Sequence, residues 1–182
     1  MSASSPQPQR SVYRKLRTVL QTARRGKWMT TEQLIEALLS EGSTEFTRYK
    51  VSRGKVSLVP CSVLVIRRMV HVARDLDLLS EAGRLTVAGR RAVDDSAGFD
   101  GVVAAAVLER LRSLGVSRSA LDERIRLGLT RPTIESLPTL DNVVMDLMKL
   151  GGSRRHLRLY LQLLAACGAV RTTRKKLFLP DV

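Results

Sequence analysis

Apolar residues recur every three or four positions through most of this chain, which is the spacing of amphipathic helices. Glycines, prolines and capping residues interrupt the pattern and set the expected helix ends. The predicted helices cover residues 10–25, 30–41, 61–79, 102–115, 140–148 and 153–167, with shorter ones after Thr86 and Ser117. The fold class is therefore expected to be mainly α.

Two stretches of the N-terminal half carry more specific signals. Thr30 and Gln33 match a capping box at the start of a helix, and Pro60 suits the start of the next one. Residues 43–60 read as a loop with one short strand at Val56–Val59. Farther on, Leu78-Leu79 and Leu85-Thr86 flank a turn at Gly83, and Thr86 is placed to cap a short helix.

The basic stretch of residues 149–180 contains no Asp or Glu. Gly151-Gly152 is expected to end one helix, Ser153 to cap the next, and Gly168 to end that one. Apolar residues mark one face of this last helix: Leu157, Tyr160, Leu161, Leu164 and Cys167. Two short strands, 169–171 and 176–179, are predicted around the basic turn 172–175.

A helix, a tight turn, a second helix and a basic hairpin follow one another here, and this order resembles the winged helix-turn-helix fold. In that fold the second helix enters the DNA major groove. The order favours DNA binding by the helix that Ser153 begins.

Two sequences in the N-terminal half, LDLLSEAGRLTVAGRRAV and WMTTEQLIEALL, resemble the wing region and second helix of bacterial MarR-type and PadR-type proteins. The likeness covers residues 10–95, with the wing within 61–95. It implies DNA contacts by Arg67, Arg68, His71 and Arg74, with Arg84 on the wing. One departure is that about 20 residues separate the second and third helices, where such proteins have a short turn.

Both halves share the same order of elements at a period of about 90 residues. The sequence therefore predicts a disordered tail at 1–9, two tandem winged-helix domains at 10–95 and 100–182, and a linker at 96–99.

The net charge is +14, which points to a polyanionic partner. Three stretches hold all their charge as cations, namely 1–31, 46–74 and 149–180. Cations clustered in this way indicate surfaces that bind a polyanion, rather than charge that only keeps the protein soluble.

Arginines in the first turns of the last helix are unfavourable for stability, because each cation there costs about 0.3–1 kcal/mol against the helix dipole. Contact with phosphates or bases explains them better. The candidate DNA-binding residues of this half are Arg154, Arg155, Arg158, Gln162, Arg171, Arg174, Lys175 and Lys176. Secondary basic contacts are assigned to Arg48, Lys50, Arg53 and Lys55.

No enzyme is expected, because the chain has no Gly-rich phosphate loop, no HExxH and no paired CxxC. Cys61 and Cys167 lie among apolar neighbours and read as buried thiols of a cytoplasmic, nucleoid-associated protein, and neither a metal nor a cofactor is expected. No apolar run is long enough to span a membrane. The low aromatic content of 4% favours duplex DNA over single strands, which are bound by stacking on exposed rings.

Two alternatives to a double-stranded DNA-binding regulator stay open. One is an adaptor within a DNA-associated complex of chromosome organisation, transposition or defence, with Leu159 and Leu163 as candidate exposed apolar contacts. The other is a basic RNA-binding protein, which fits the charge equally well. Partners would be duplex DNA and either a second copy or a larger complex.

Overall fold

The computed structural model describes residues 8–26, 30–41, 44–52, 55–94, 98–126, 140–150, 153–173 and 176–178. Within them lie eight α-helices and two separate two-stranded antiparallel sheets, so the expectation of a mainly α protein is confirmed. The chain forms two compact units, Tyr13–Ser96 and Ala97–Val182 together with Met1–Val12.

The first unit contains four helices and one hairpin, and α1 belongs to it from Tyr13 onward. In chain order its elements are α1 (Pro8–Arg25), α2 (Thr31–Ser40), a 3₁₀ turn (Thr44–Phe46), β1 (Thr47–Ser52), β2 (Lys55–Pro60), α3 (Val63–Asp75) and α4 (Val87–Asp94). Its core consists of side chains with at most 1% exposure, including Leu16, Leu20, Leu34, Leu38, Ile66 and Val70. Thr30 forms the predicted capping box: its hydroxyl accepts from the Gln33 N–H at 3.2 Å, and the Gln33 side chain accepts from the Thr30 N–H at 2.9 Å.

The hairpin between α2 and α3 is larger than the sequence indicated. β1 and β2 pair along their whole length, with Thr47 opposite Pro60 and Ser52 opposite Lys55, where a loop with one short strand was predicted. The partner strand was missed although Tyr49 and Val51 alternate with polar residues in β1, because two apolar positions are too short a pattern to identify a strand. The Cys61 N–H donates to the Phe46 carbonyl at 2.6 Å and closes the base of the hairpin.

Pro60 ends β2 and does not begin α3, so that prediction was wrong. A terminal proline fits a strand end, where its missing N–H removes no essential ladder bond. Helix α3 starts at Val63, after Ser62 in an extended conformation. Val63 is 38% exposed, since it stands at the very beginning of the helix.

The segment from α3 to α4 contains the predicted turn at Gly83 (φ 74) and the predicted cap at Thr86. A single isolated β-bridge, between Leu79 and Leu85, joins the two sides of this turn, so the described residues form no paired strands there.

Side-chain hydrogen bonds attach this segment to its neighbours. The Thr86 hydroxyl accepts from the Gly89 N–H at 3.0 Å and donates to the Asp77 carbonyl at 2.6 Å, which ties α4 to the end of α3. The turn also contacts the start of α2, where the Thr31 hydroxyl donates to the Glu81 carbonyl at 2.9 Å.

The second unit contains α5 (Phe99–Ser113), α6 (Arg118–Arg126), α7 (Leu140–Met148), α8 (Arg154–Ala166), β3 (Arg171–Thr173) and β4 (Lys176–Phe178). Helix α8 packs against both α5 and α7, and β3 pairs with β4. Ser153 and Ser117 act as the predicted caps, accepting from the N–H groups of His156 at 3.4 Å and Ala120 at 3.1 Å. Gly115 and Gly168 adopt positive φ just after their helices, as helix-ending glycines do.

The apolar face of α8 is wider than the sequence pattern suggested. Leu157, Tyr160, Leu161 and Leu164 are buried as predicted, but Leu163 is buried too. Leu163 was expected to be exposed, and that expectation was wrong because a helix with two neighbours buries more than one stripe. Leu159 is half-buried.

We predict that Gly89→Ala destabilises the first unit by about 1–3 kcal/mol, the usual cost of overpacking. A Cβ at Gly89 would overlap the Leu78 carbonyl oxygen, which belongs to rigid backbone. Gly101→Ala is the matched control, because nothing lies within 4 Å of a Cβ built there and alanine is the better helix former. Urea unfolding midpoints check both; equal stability of the two variants would contradict the close approach.

Candidate nucleic-acid interface

The outward side of α3 is the first candidate surface. Ile66, Met69, Val70 and Ala73 are buried on its inner side. Arg67 and His71 are exposed and, being four residues apart, lie on the same side of the helix. Arg68 is half-buried beside them. With Arg74, which also lies on α3, four of the predicted contact residues belong to one helix.

The ion pairs of α3 separate these cations into two kinds. In the described part of the chain neither Arg67 nor Arg68 forms an ion pair. Arg74 lies 3.8 Å from Glu81 in the turn that precedes α4, and its side chain is only 29% exposed. Arg67 and Arg68 are thus available to an external anion, while Arg74 also faces an internal acid.

Arg84, predicted to lie on a wing, lines an open cleft of about 450 Å³ within the first unit. We call it the arginine cleft; its described lining residues are Ala23, Arg24, Gly26, Arg84, Leu85, Arg90 and Asp94. None of the α3 candidates is among them. Sequence analysis missed Arg24 and Arg90, because only the fold brings the end of α1 next to α4.

The start of α8 is the second candidate surface. Arg154, Arg155, His156 and Arg158 are exposed there, and Gln162 is half-buried. Arg155, Arg158 and Gln162 follow one another at spacings of three and four, so they share one side of the helix. The structure thus places three of the candidate residues on one side of α8.

An acid from α7 changes the electrostatics of this surface. A carboxylate oxygen of Asp141 lies 3.3 Å from Arg158 and 3.8 Å from Arg154. Asp141 therefore offsets part of the cost of placing cations at the start of α8, and these two arginines have a structural reason to be there. Arg155 forms no ion pair with any described residue, so it is the stronger candidate for an external contact.

Because these pairs are about half exposed, they are expected to contribute only about 0–1 kcal/mol each. Such pairs exchange readily for phosphate, so Arg154 and Arg158 are not removed from the candidate surface by their contact with Asp141.

The remaining candidates belong to the two hairpins. Arg48 and Lys50 lie in β1, Lys55 is exposed at the start of β2, and Arg171 and Lys176 lie in β3 and β4. Arg53, Arg174 and Lys175 lie outside the described residues, as do Trp28-Met29 and the Gly151-Gly152 turn.

Comparison with protein-family models, with curated proteins and with solved structures found no match to this chain. The described helices include none that is both long enough and apolar enough to cross a membrane. In the same residues, no group of three or more His, Cys, Asp or Glu side chains is arranged to hold a metal ion.

The two cysteines are free thiols; Cys61 is buried and Cys167 is half-buried at the end of α8. Burial, together with the negative charge of Asp100, raises the pKa of Cys167 to about 12. The reactive thiolate is therefore scarce at neutral pH, which opposes a role in nucleophilic chemistry.

We predict that iodoacetamide modifies Cys167 roughly tenfold or more slowly at pH 8 in the folded protein than in the chain unfolded by guanidinium. The raised pKa of about 12 leaves much less thiolate than an ordinary thiol pKa does, and the greater nucleophilicity of the more basic thiolate offsets only part of that loss. Mass spectrometry of the modified peptide measures the rate, and Asp100→Asn should raise it. Equal rates in the folded and unfolded chains would contradict the raised pKa.

Proposed function

We propose that this protein binds double-stranded DNA through winged-helix units and acts as a transcriptional regulator or as a component of a nucleoprotein complex. The observation that carries the proposal is the outward side of α3, where Arg67, Arg68 and His71 lie above a buried apolar side. Neither arginine forms an ion pair with a described residue. A helix with this arrangement suits a polyanion that supplies the missing negative charge.

Duplex DNA is favoured over single strands by the burial of three aromatic rings in the described part of the chain. Phe46, Phe99 and Tyr160 are at most 3% exposed, so these rings offer no surface on which bases could stack. The major groove admits an α-helix, and arginine is the usual partner of guanine there. Arg155 and Gln162 on α8 supply an equivalent pair of polar side chains in the second unit.

A second candidate function is the adaptor, favoured by exposed apolar residues on and just after α7. Met145, Met148 and Leu150 are 49%, 38% and 42% exposed, respectively. Large apolar side chains gathered in one exposed segment are typical of contacts between proteins. As an adaptor, the protein would contact a partner protein or a second copy of itself through these apolar residues. Its basic surfaces would then bind DNA that the partner also binds.

We predict that Arg67→Ala with Arg68→Ala lowers the affinity for random duplex DNA by about tenfold or more, since each phosphate or base contact is lost without relieving an internal ion pair. Arg112→Ala with Arg118→Ala is the control. It removes the same charge from arginines that pair with Glu109 and Asp122. Fluorescence anisotropy at low salt measures both, and circular dichroism checks that the variants fold.

Equal losses in the two double variants would mean that net charge alone drives binding, and would contradict a contact by α3. Wild-type protein that binds single-stranded RNA but not duplex DNA would replace this function with the RNA alternative. Arg155→Ala, measured in the same way, tests α8 without disturbing Asp141.

The salt dependence gives a separate prediction. If about six phosphates are neutralised, log K should fall with log salt at a slope of about −5, and the α3 double variant should reduce the slope by about 2. The same anisotropy titration over a range of salt concentrations provides the slopes. A slope that is unchanged in the variant would place Arg67 and Arg68 away from the phosphates.

A further inference from the structure

The arginine cleft lies wholly within the first unit and is formed by three segments of it. Arg24 comes from the last turns of α1, Arg84 from the turn before α4, and Arg90 from α4 itself. Arg24 is distant in sequence from Arg84 and Arg90, and the fold brings it to the same opening. The outward side of α3, on which the proposed function depends, contributes no described residue to it.

The charges of the cleft are unbalanced. Arg24 pairs with Asp94 at 2.9 Å, which is a short contact between two half-exposed side chains. Arg90 is exposed and forms no ion pair in the described part of the chain, while Arg84 also interacts with other groups of the protein. Among the described lining residues Asp94 is the one carboxylate, and it stands against both Arg24 and Arg90. An excess of positive charge therefore remains in a single concave site even before Arg84 is counted.

We propose that the arginine cleft binds a phosphate group. A phosphate monoester carries about −1.5 to −2 charges at pH 7, so it supplies negative charge to a site in which Asp94 only partly offsets the arginines. Guanidinium groups bind phosphate with two parallel hydrogen bonds, and this geometry favours phosphate over a single negative charge of the same size.

The size and lining of the cleft suit a small organic phosphate. Its volume of about 450 Å³ lies within the usual range of small-molecule sites, which is about 300–1,000 Å³. Ala23 and Leu85 provide apolar wall beside the arginines, so the body of an ester can pack while its phosphate meets the cations.

One feature opposes anion binding. Gly26 lines the cleft just beyond the end of α1, where the helix dipole contributes roughly half a negative charge. The full charges of the arginines exceed it. The carboxylate of Asp94 opposes anion binding more strongly than the helix dipole does. Replacing Asp94 with a neutral residue should therefore change the affinity of the cleft for phosphate.

Isothermal titration calorimetry with phenyl phosphate, at constant ionic strength, tests the site directly. Saturable binding in the millimolar range or tighter is expected, and benzoate, which has a similar body and one negative charge, should bind more weakly. Arg90→Gln should weaken phenyl phosphate binding about tenfold. Arg91→Gln is the matched control, since Arg91 is its exposed neighbour on α4 and does not line the cleft.

Asp94→Asn should strengthen binding several-fold, because it removes the opposing charge and releases Arg24. A gain of affinity cannot arise from a variant that merely unfolds. Binding that is not saturable, equal affinity for benzoate, or equal losses in Arg90→Gln and Arg91→Gln would overturn the proposal.

A free ester and the DNA backbone are two possible sources of the phosphate, and duplex binding by the same variants separates them. If the backbone supplies it, Arg90→Gln lowers duplex affinity more than Arg91→Gln does, and phenyl phosphate competes with DNA. If a free ester supplies it, the two variants bind duplex equally well. The calorimetry is independent of DNA, so the cleft and the proposed function can fail separately.

Discussion

The burial of α8 against two neighbouring helices decides what the second unit can present to a partner. Contact with both α5 and α7 removes Leu157, Tyr160, Leu161, Leu163 and Leu164 from solvent. The positions that remain exposed at the start of the helix are polar, and most of them are arginines. Because the apolar residues of α8 are buried, the exposed positions at its N-terminal end form a basic strip. The helix dipole alone would favour acidic residues there.

The distribution of acids explains how the protein carries its charge. Asp141 lies beside Arg154 and Arg158, Glu81 beside Arg74, and Asp94 beside Arg24. These pairs are partly exposed and weak, but they reduce repulsion between neighbouring cations. Arg67, Arg68, Arg90 and Arg155 have no such partner in the described residues. At these positions an external anion would gain the most favourable electrostatic energy, because no internal acid competes with it.

The first unit combines rigid backbone contacts with open charged surfaces. Gly89 lets α4 approach the Leu78 carbonyl more closely than any side chain would allow, and Thr86 joins α4 to the end of α3. These contacts hold Arg84 and Arg90 in place at the cleft, whereas α3 is fixed by its own buried side. A rigid frame of this kind limits the entropy that the arginines lose on meeting a ligand.

The sequence by itself determined the helices, their caps and most of their buried faces. The capping box at Thr30, the cap at Ser153 and the glycines that end α5 and α8 depend on residues close together in the chain, so local spacing was sufficient. Only the tertiary structure decided the pairing of β1 with β2, the burial of Leu163, the pairing of Asp141 with α8 and the gathering of Arg24 with Arg90. Each of these joins residues from separate elements, and their approach is set by packing between elements rather than by the local periodicity of the chain.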